Sequence, residues 1–368
     1  MPLAPVSLYL HIPFCVRRCP YCNFYSTTNL ELRRDFTAAM VRAIEKAPLE
    51  GRIARTIYFG GGTPSLLGES LIPVLEAVRR RLPVEETAEI TLEANPGTVE
   101  PRLLLQLRQA GFNRISFGLQ AGDEEGLKRL GRIHTVDQGR QAVELARQAG
   151  FENISVDIML ATPGQDVPTA RRLAEQAADL GVPHISAYLL KVEPDTPFGR
   201  QGIQDLCPDE DQTADIYLEV CRTLEERGFG HYEISNFARP GFESRHNRAY
   251  WLLEDYLGIG PAAYSCMNGE RFHFPPDLKA FVERETPWSL RQEDGPGGDG
   301  EELLMLSLRL GEGLNLSRWA QAGFSPEELR KKAAPMVRAG LCGMDEHRLW
   351  LTDEGFLLSN SIITALLP

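Results

Sequence analysis

The chain has 368 residues, and its hydrophobic fraction of 43% is enough to fill the cores of one large domain and one small domain. Its formal net charge of -12 argues against a nucleic-acid partner, which requires clustered positive charge. The amino-terminal segment lacks the features of a secretory signal, and no run approaches the roughly 20 apolar residues of a transmembrane helix. These features predict a cytoplasmic protein without a transmembrane segment.

Six short segments rich in Ile, Val, Tyr and Phe alternate with amphipathic helices between residues 7 and 190. In chain order the segments are SLYLHI, TIYFGG, EITLEAN, RISFGLQ, NISVDIML and HISAYLL. The alternation predicts an α/β fold with a parallel sheet, which is either doubly wound or curled into a full or partial barrel. Polar or glycine-rich residues follow many of the strands, which favours a partial (β/α)6 barrel with its active site in the βα loops.

The carboxyl-terminal third has a different pattern. A glycine- and acid-rich stretch, QEDGPGGDGEE, is predicted to be a loop at residues 292–302. Helical segments and the predicted hairpin MDEHRLWLT then indicate a small α+β domain of winged-helix-like shape. Its nine acidic residues against seven Lys and Arg favour a packing or lid module over a DNA reader. The predicted units are a barrel (1–235), a connecting segment (236–300) and a small domain (301–368).

Three of the seven cysteines, Cys15, Cys19 and Cys22, lie within eight residues in the loop after the first strand. A zinc site with His11 as the fourth ligand is one interpretation, but no second ligand pair of the usual spacing follows. An iron-sulfur cluster on three thiolates would leave one iron open to a small molecule, and the spacing favours this interpretation. Most of the other cysteines are predicted to be small core residues without chemistry: Cys207, Cys221, Cys266 and Cys342.

The CxxxCxxC spacing in this position resembles the radical S-adenosylmethionine (SAM) superfamily. Further stretches, including YFGGGTPSLL, EANPGT, DIMLATPGQ and YLGIGPAAYS, extend the resemblance over essentially the whole chain and are similar to the HemN/HemW branch. That branch contains oxygen-independent coproporphyrinogen III oxidase and a heme chaperone. The resemblance implies a [4Fe-4S] cluster on the three cysteines, whose open iron binds SAM and whose electron cleaves it to a 5′-deoxyadenosyl radical.

The resemblance also implies the residues that bind the cofactor. Tyr9, Gly61 and Glu93 match positions that hold the cluster-bound SAM, and glycines suit close backbone approach to a ligand. A second SAM molecule would be held by Tyr21, Gly62, Thr63, Gln120, Arg132, Asp157 and Lys191. Lys191 stands where a small residue is expected in the oxidase, so the resemblance does not decide whether a second SAM molecule binds. For Asp157 a structural ion pair is the alternative, because a buried carboxylate needs a partner.

Three features favour the chaperone over the oxidase. Phe24 stands where the oxidase continues CxxxCxxCxC, a long amino-terminal extension is missing, and the chain contains HNRAYW. The last segment resembles a heme-binding hallmark of the chaperone, which implies His246 as an iron ligand. Arg245 and Arg248 would meet the propionates, and Tyr250 and Trp251 the macrocycle. Without the resemblance, a lone histidine beside aromatic residues is more often structural.

These observations predict a heme chaperone that carries a [4Fe-4S] cluster and SAM. Its partners would be heme, an electron donor and client hemoproteins, membrane respiratory enzymes among them. The alternatives are oxygen-independent coproporphyrinogen III oxidase and a zinc-stabilised scaffold without radical chemistry.

Overall fold

The computed structural model describes residues 3–367 and contains a twelve-stranded mixed sheet and a separate three-stranded sheet. All six strands predicted from the apolar segments are present, and each pairs in parallel with the next along the chain. They are β1 (Ala4–Ile12), β2 (Arg52–Gly61), β3 (Val84–Ala94), β4 (Arg114–Gln120), β5 (Asn153–Leu160) and β6 (His184–Leu189).

Six further strands extend both edges of this parallel sheet. They are β7 (Gly230–Glu233), β8 (Asn236–Ala238), β9 (Tyr256–Ile259), β10 (Tyr264–Met267), β11 (Glu270–His273) and β12 (Gln292–Pro296). The antiparallel pair β8–β7 follows β6, whereas β9 pairs in parallel with β1 and leads into antiparallel β10, β11 and β12. Because other strands pair with the outer edges of β1 and β6, the barrel stays open, which confirms the partial barrel.

The segment QEDGPGGDGEE is not wholly a loop. Its first five residues form β12, which pairs antiparallel with β11, and its last three residues begin a helix. The prediction was wrong because every side chain of this edge strand is exposed. Such a strand is held by backbone hydrogen bonds and leaves no hydrophobic alternation in the sequence.

Helices connect the strands and complete the small domain. They are α1 (Arg33–Glu45), α2 (Leu71–Arg81), α3 (Pro101–Ala110), α4 (Glu124–Arg129), α5 (Val136–Gln148), α6 (Val167–Asp179), α7 (Pro197–Arg200), α8 (Glu210–Glu226), α9 (Arg245–Trp251), α10 (Leu278–Glu283), α11 (Gly300–Ser307), α12 (Leu316–Gln321), α13 (Pro326–Arg338), α14 (Asp353–Leu357) and α15 (Ser359–Leu366). Their ends follow the sequence closely. At α5, for example, Thr135 and Gln138 form a reciprocal capping box.

The carboxyl-terminal part forms a small α+β unit, as predicted. The strands β13 (Leu314–Asn315), β14 (Cys342–Met344) and β15 (Arg348–Leu351) form a sheet in the order β13-β15-β14. The antiparallel β14–β15 pair is the hairpin expected from MDEHRLWLT. The exact limits of the three predicted units remain predictions. In the described part of the chain, no helix has the length and apolarity needed to cross a bilayer.

The parallel pairing brings the predicted site residues to one end of the barrel. In β1, Leu8, Leu10 and Ile12 are buried in the core, while Tyr9 and His11 lie on the opposite face. The carboxyl ends of the parallel strands meet at one edge of the sheet. The cysteine loop, the glycines after β2 and the last residues of β3, β4 and β5 therefore surround one opening.

Candidate functional site

The cysteine loop is anchored to the backbone at both of its ends. The Cys15 amide donates to the Thr27 carbonyl at 2.9 Å, and the Thr27 amide donates to the carbonyl of Pro13 at 2.6 Å. On the β2 side, the Thr63 amide donates to the carbonyl of Phe14 at 2.7 Å. Cys15, Cys19 and Cys22 are partly exposed free thiols. The backbone, rather than a disulfide, thus holds the loop open toward the barrel.

Glycine is required at the contact between this loop and β2. A Cβ atom on Gly62 would lie 2.7 Å from the Phe14 carbonyl oxygen and 3.0 Å from Cys15 Sγ. Its neighbour Gly61 has a φ of +119°, a conformation that side chains rarely adopt. The Thr63 hydroxyl donates to Cys15 Sγ across 3.8 Å. The GGGTP turn therefore packs directly against the first cysteine.

Glu93 faces the same turn from the end of β3. Its Oε2 accepts a hydrogen bond from the Gly61 amide at 3.1 Å, and its Oε1 accepts one from the Tyr58 hydroxyl at 2.7 Å. Burial is the main cause that raises the Glu93 pKa from 4.5 to about 7, and the charge of Asp157 adds to it. A cationic ligand would favour the ionised carboxylate, which suits the methionine ammonium of SAM.

Tyr9 and His11 line the barrel beside the cysteine loop. The Tyr9 hydroxyl lies 3.0 Å from His11 Nδ1, and His11 Nε2 lies 3.0 Å from the carbonyl oxygen of Tyr25. Because a carbonyl can only accept, Nε2 carries the proton and Nδ1 accepts from Tyr9. Burial lowers the His11 pKa to about 4, so the ring is neutral. Both nitrogens are occupied, which disfavours His11 as a fourth zinc ligand.

Arg132 contacts the cysteine loop, and the Gln120 and Arg132 side chains both lie beside Gly118. Arg132 donates to Cys19 Sγ at 3.4 Å, to the carbonyl of Gly118 at 2.7 Å and to the Asn95 side chain. Gln120 has a φ of +70°, which is strained for a residue with a side chain. The atoms Arg132 Nε and Gln120 Oε1 are buried without a hydrogen-bond partner. Unpaired buried polar atoms are rare, and here they fit a polar ligand.

The remaining predicted SAM residues differ in their surroundings. Asp157 accepts hydrogen bonds from Ser116, at 3.0 Å, and from Ser186, and burial raises its pKa. Its hydrogen-bond partners are serines rather than the cation of the ion-pair alternative. Tyr21 lies beside Cys19 and Arg132, and burial is the main cause that raises its pKa. By contrast, Lys191 is 83% exposed and pairs with Glu193 at 2.6 Å.

His246 lies on α9, which packs against β2. Its Nδ1 is 2.6 Å from the hydroxyl of Thr56, and its Nε2 is 2.8 Å from the hydroxyl of Tyr250. The ring stacks on Tyr58 with centroids 4.8 Å apart, and Glu89 accepts from its backbone amide at 3.1 Å. Burial lowers the His246 pKa to about 3. In this conformation both ring nitrogens are hydrogen-bonded.

Sequence reasoning missed several residues of this site. Tyr58 joins Glu93 to His246, and Asn95 fixes the Arg132 guanidinium. A signal for Tyr58 was available, because Thr56, Tyr58 and Gly60 alternate along β2 and therefore share one face of the strand. No comparable signal pointed to Asn95, since its role depends on the distant Arg132.

Comparison with known proteins agrees with this geometry. The family model of the radical SAM superfamily matches residues 9–177, and that of the HemN C-terminal domain matches residues 299–358. A solved structure of coproporphyrinogen III oxidase (HemN) from Escherichia coli, described as a radical SAM enzyme, is 25% identical with a TM-score of 0.85. The match covers 100% of this chain and 91% of the HemN chain. The chain is thus a radical SAM protein.

Similarity to curated proteins narrows the family. The heme chaperone HemW of Lactococcus lactis is 34% identical over 367 residues, covering 97% of this chain and 96% of its own length. The heme chaperone HemW of Escherichia coli is 42% identical over 267 residues, covering 71% and 70% of the two chains. The chain belongs to the HemW family. Its cofactors are those of the radical SAM superfamily, a [4Fe-4S] cluster and SAM.

We expect each of the three loop cysteines to be required for the cluster. Replacing Cys15, Cys19 or Cys22 by Ser removes a thiolate ligand, so iron and sulfide per chain in anaerobically reconstituted protein should fall to below about a tenth of the parent's. The matched control is Cys207→Ser, which changes another partly exposed thiol. Full iron content in any loop variant, or stoichiometric zinc in the parent, would contradict the assignment.

We also expect Glu93 to make stability depend on pH. Unfolded chains ionise this group near 4.5 and the folded protein ionises it near 7, so the folded state binds more protons between these values. The contribution of Glu93 to the free energy of unfolding therefore falls by about 3 kcal/mol as pH rises from 4.5 to 7. In SAM-free protein, the stability of Glu93→Gln relative to the parent should rise by about that amount between pH 4 and pH 8.

The matched control for this pH dependence is Glu86→Gln, on an exposed part of the same strand. Because this side chain is exposed, its replacement should change the denaturant unfolding curves far less than the replacement of Glu93 does. Equal pH profiles for Glu93→Gln and the parent would show that Glu93 ionises normally in the folded protein.

Proposed function

We propose that this protein is a cytoplasmic heme chaperone that binds heme and passes it to respiratory hemoproteins. The observation that carries the proposal is the 34% identity to a HemW heme chaperone over nearly the full length of both chains. The client proteins, among them membrane respiratory enzymes, and the electron donor belong to the same proposal.

The cofactor site would be built from the residues around the barrel opening. Cys15, Cys19 and Cys22 would hold the cluster, and Tyr9, Gly61 and Glu93 would bind the cluster-bound SAM. When bound, the cluster and SAM supply one-electron radical chemistry. Arg132 has a role of its own, because its guanidinium donates to Cys19 Sγ and so stabilises negative charge on a ligating thiolate.

A second SAM molecule is a separable part of the proposal. The support for it is the pair of unpartnered buried atoms on Gln120 and Arg132, together with the carboxylate of Asp157. The other members of this proposed set are Tyr21, Gly62, Thr63 and Lys191. Lys191 would have to leave its solvent-exposed pairing with Glu193 to take part.

Heme binding through His246 would require α9 to rearrange. The Nε2 atom of His246 becomes available only if its hydrogen bond to the Tyr250 hydroxyl breaks. Its Nδ1 atom becomes available only if the hydrogen bond to the Thr56 hydroxyl breaks. The neighbouring arginines are also engaged. Arg245 donates to a backbone carbonyl at 2.5 Å, and Arg248 pairs with Glu312 of the small domain at 3.1 Å. We therefore propose His246 as an iron ligand in an opened form of this helix.

The similarity to HemN supports a second candidate function, the oxidative decarboxylation of coproporphyrinogen III. The two functions make different demands. An oxidase must abstract hydrogen from the propionate side chain of its substrate in every turnover, whereas a chaperone must bind heme and release it unchanged.

An anaerobic assay of reconstituted protein with coproporphyrinogen III and SAM separates the two functions. We expect no turnover above the rate of a cluster-free control, together with a stoichiometric Soret-band change on titration with heme. Catalytic formation of protoporphyrinogen IX would overturn the chaperone proposal in favour of the oxidase.

The heme ligand is tested by substitution of His246. His246→Ala should weaken the heme-induced Soret change by at least about tenfold in affinity and leave iron content at the cluster intact. His347→Ala, at an exposed position, is the control and should titrate like the parent. A titration curve of His246→Ala that matches the parent would remove this residue from the heme site.

A further inference from the structure

A second group of metal-ligating side chains lies at the junction between the barrel and the small domain. Cys221 on α8, His231 on β7 and Asp353 at the start of α14 bring one ligand atom each to within 4.8 Å of one another. The sequence placed Cys221 among the core residues without chemistry, and the other two carried no signal. We propose that these three side chains bind a zinc ion that joins the two parts of the protein.

The imidazole of His231 is held in a fixed orientation. Its Nδ1 lies 2.7 Å from Asp353 Oδ1, and its Nε2 lies 3.4 Å from the hydroxyl of Tyr217. The ring stacks on Phe237 with centroids 4.2 Å apart, and its centroid lies 4.9 Å from that of Phe356 in α14. Ligands whose orientation is set by packing and hydrogen bonds favour tight metal binding.

The chemistry of the three groups fits zinc. Thiolate, imidazole and carboxylate are the side-chain ligands of tetrahedral zinc sites, and a fourth position remains for water. One thiolate and one carboxylate balance the charge of a divalent ion. On binding, the S–H bond of Cys221 breaks, an S–Zn bond forms and the proton leaves to solvent. The proton that His231 Nδ1 donates to Asp353 moves to Nε2, which faces the Tyr217 hydroxyl, so that Nδ1 can bind zinc. No oxidation or reduction is involved.

Metal binding needs only a small local change. Two ligand atoms about 2.1 Å from zinc at a tetrahedral angle lie roughly 3.4 Å apart. The zinc would therefore replace the hydrogen bond between His231 and Asp353, and that pair would open by less than about 1 Å. The thiol sulfur would move inward by a similar amount. Both changes lie within the reach of side-chain rotation.

An acidic cleft lies beside this group of ligands and shares Asp353 with it. The cleft has a volume of about 480 Å³ and lies between α8 and the beginning of α14. Five carboxylates line it: Asp215, Glu219, Glu225, Asp353 and Glu354. The single basic residue in the lining, Arg222, pairs with Glu219. A negatively lined, low-dielectric cleft raises the local concentration of cations, and Asp353 belongs to both cleft and ligand group.

The test uses holoprotein with its cluster in place, so that the loop cysteines are already occupied. Zn²⁺ is titrated anaerobically in competition with a chromophoric chelator, and bound zinc per chain is counted. We expect one zinc per chain in the parent and at least about tenfold weaker binding in Cys221→Ala and in Asp353→Asn. Cys342→Ala, another buried thiol, is the matched control and should bind like the parent.

X-ray absorption at the zinc edge provides a readout that does not depend on how well the variants fold. In the parent we expect one sulfur at about 2.3 Å and nitrogen or oxygen ligands at about 2.0–2.2 Å. Holoprotein that binds no zinc, zinc with three sulfur ligands, or equal affinity in Cys221→Ala and the parent would each overturn the proposal. None of these results bears on heme binding, which the site does not involve.

Discussion

The close approach of the cysteine loop to Gly62 is the contact on which the functional site depends. The carbonyl of Phe14 and the sulfur of Cys15 occupy the space that any side chain at this position would need. The amide of Thr63 then pairs with the same carbonyl, so backbone atoms fix the loop to the end of β2. Because Gly61 also donates to Glu93, the position of the first cysteine and that of the carboxylate are set together.

The sequence was most informative where structure depends on local pattern. The six parallel strands are buried and rich in branched and aromatic residues, so they were visible as apolar segments. The three loop cysteines and the glycine turn were visible because they match the motif spacing of the radical SAM superfamily. The edge strand β12 was not visible, since its exposed side chains carry no pattern and only pairing with β11 makes it a strand.

Contacts between distant parts of the chain account for the other omissions. Arg132 was assigned to a cofactor site, but its bonds to Cys19 and Asn95 appear only once three loops are brought together. The same is true of the group formed by Cys221, His231 and Asp353, whose members lie up to 132 residues apart in sequence. The spacing of residues in the sequence cannot reveal a ligand set of this kind, because only tertiary packing brings its members together.

The helix α9 links the surroundings of Glu93 to the small domain. His246 stacks on Tyr58, and Tyr58 in turn donates to Glu93, so α9 and the Glu93 carboxylate belong to one hydrogen-bonded and stacked unit. Arg248 of the same helix pairs with Glu312 in the small domain. A displacement of α9, which the proposed binding of heme at His246 requires, would therefore change contacts both beside Glu93 and at the small domain.

The most direct measurement is low-temperature electron paramagnetic resonance of the reduced, oxygen-protected protein with and without SAM. A [4Fe-4S] cluster with one iron open to the cofactor should give a reduced-cluster signal whose g-values shift when SAM is added. A signal that is unchanged by SAM, or a colourless protein whose three cysteines hold a fully coordinated divalent metal, would contradict the central claim.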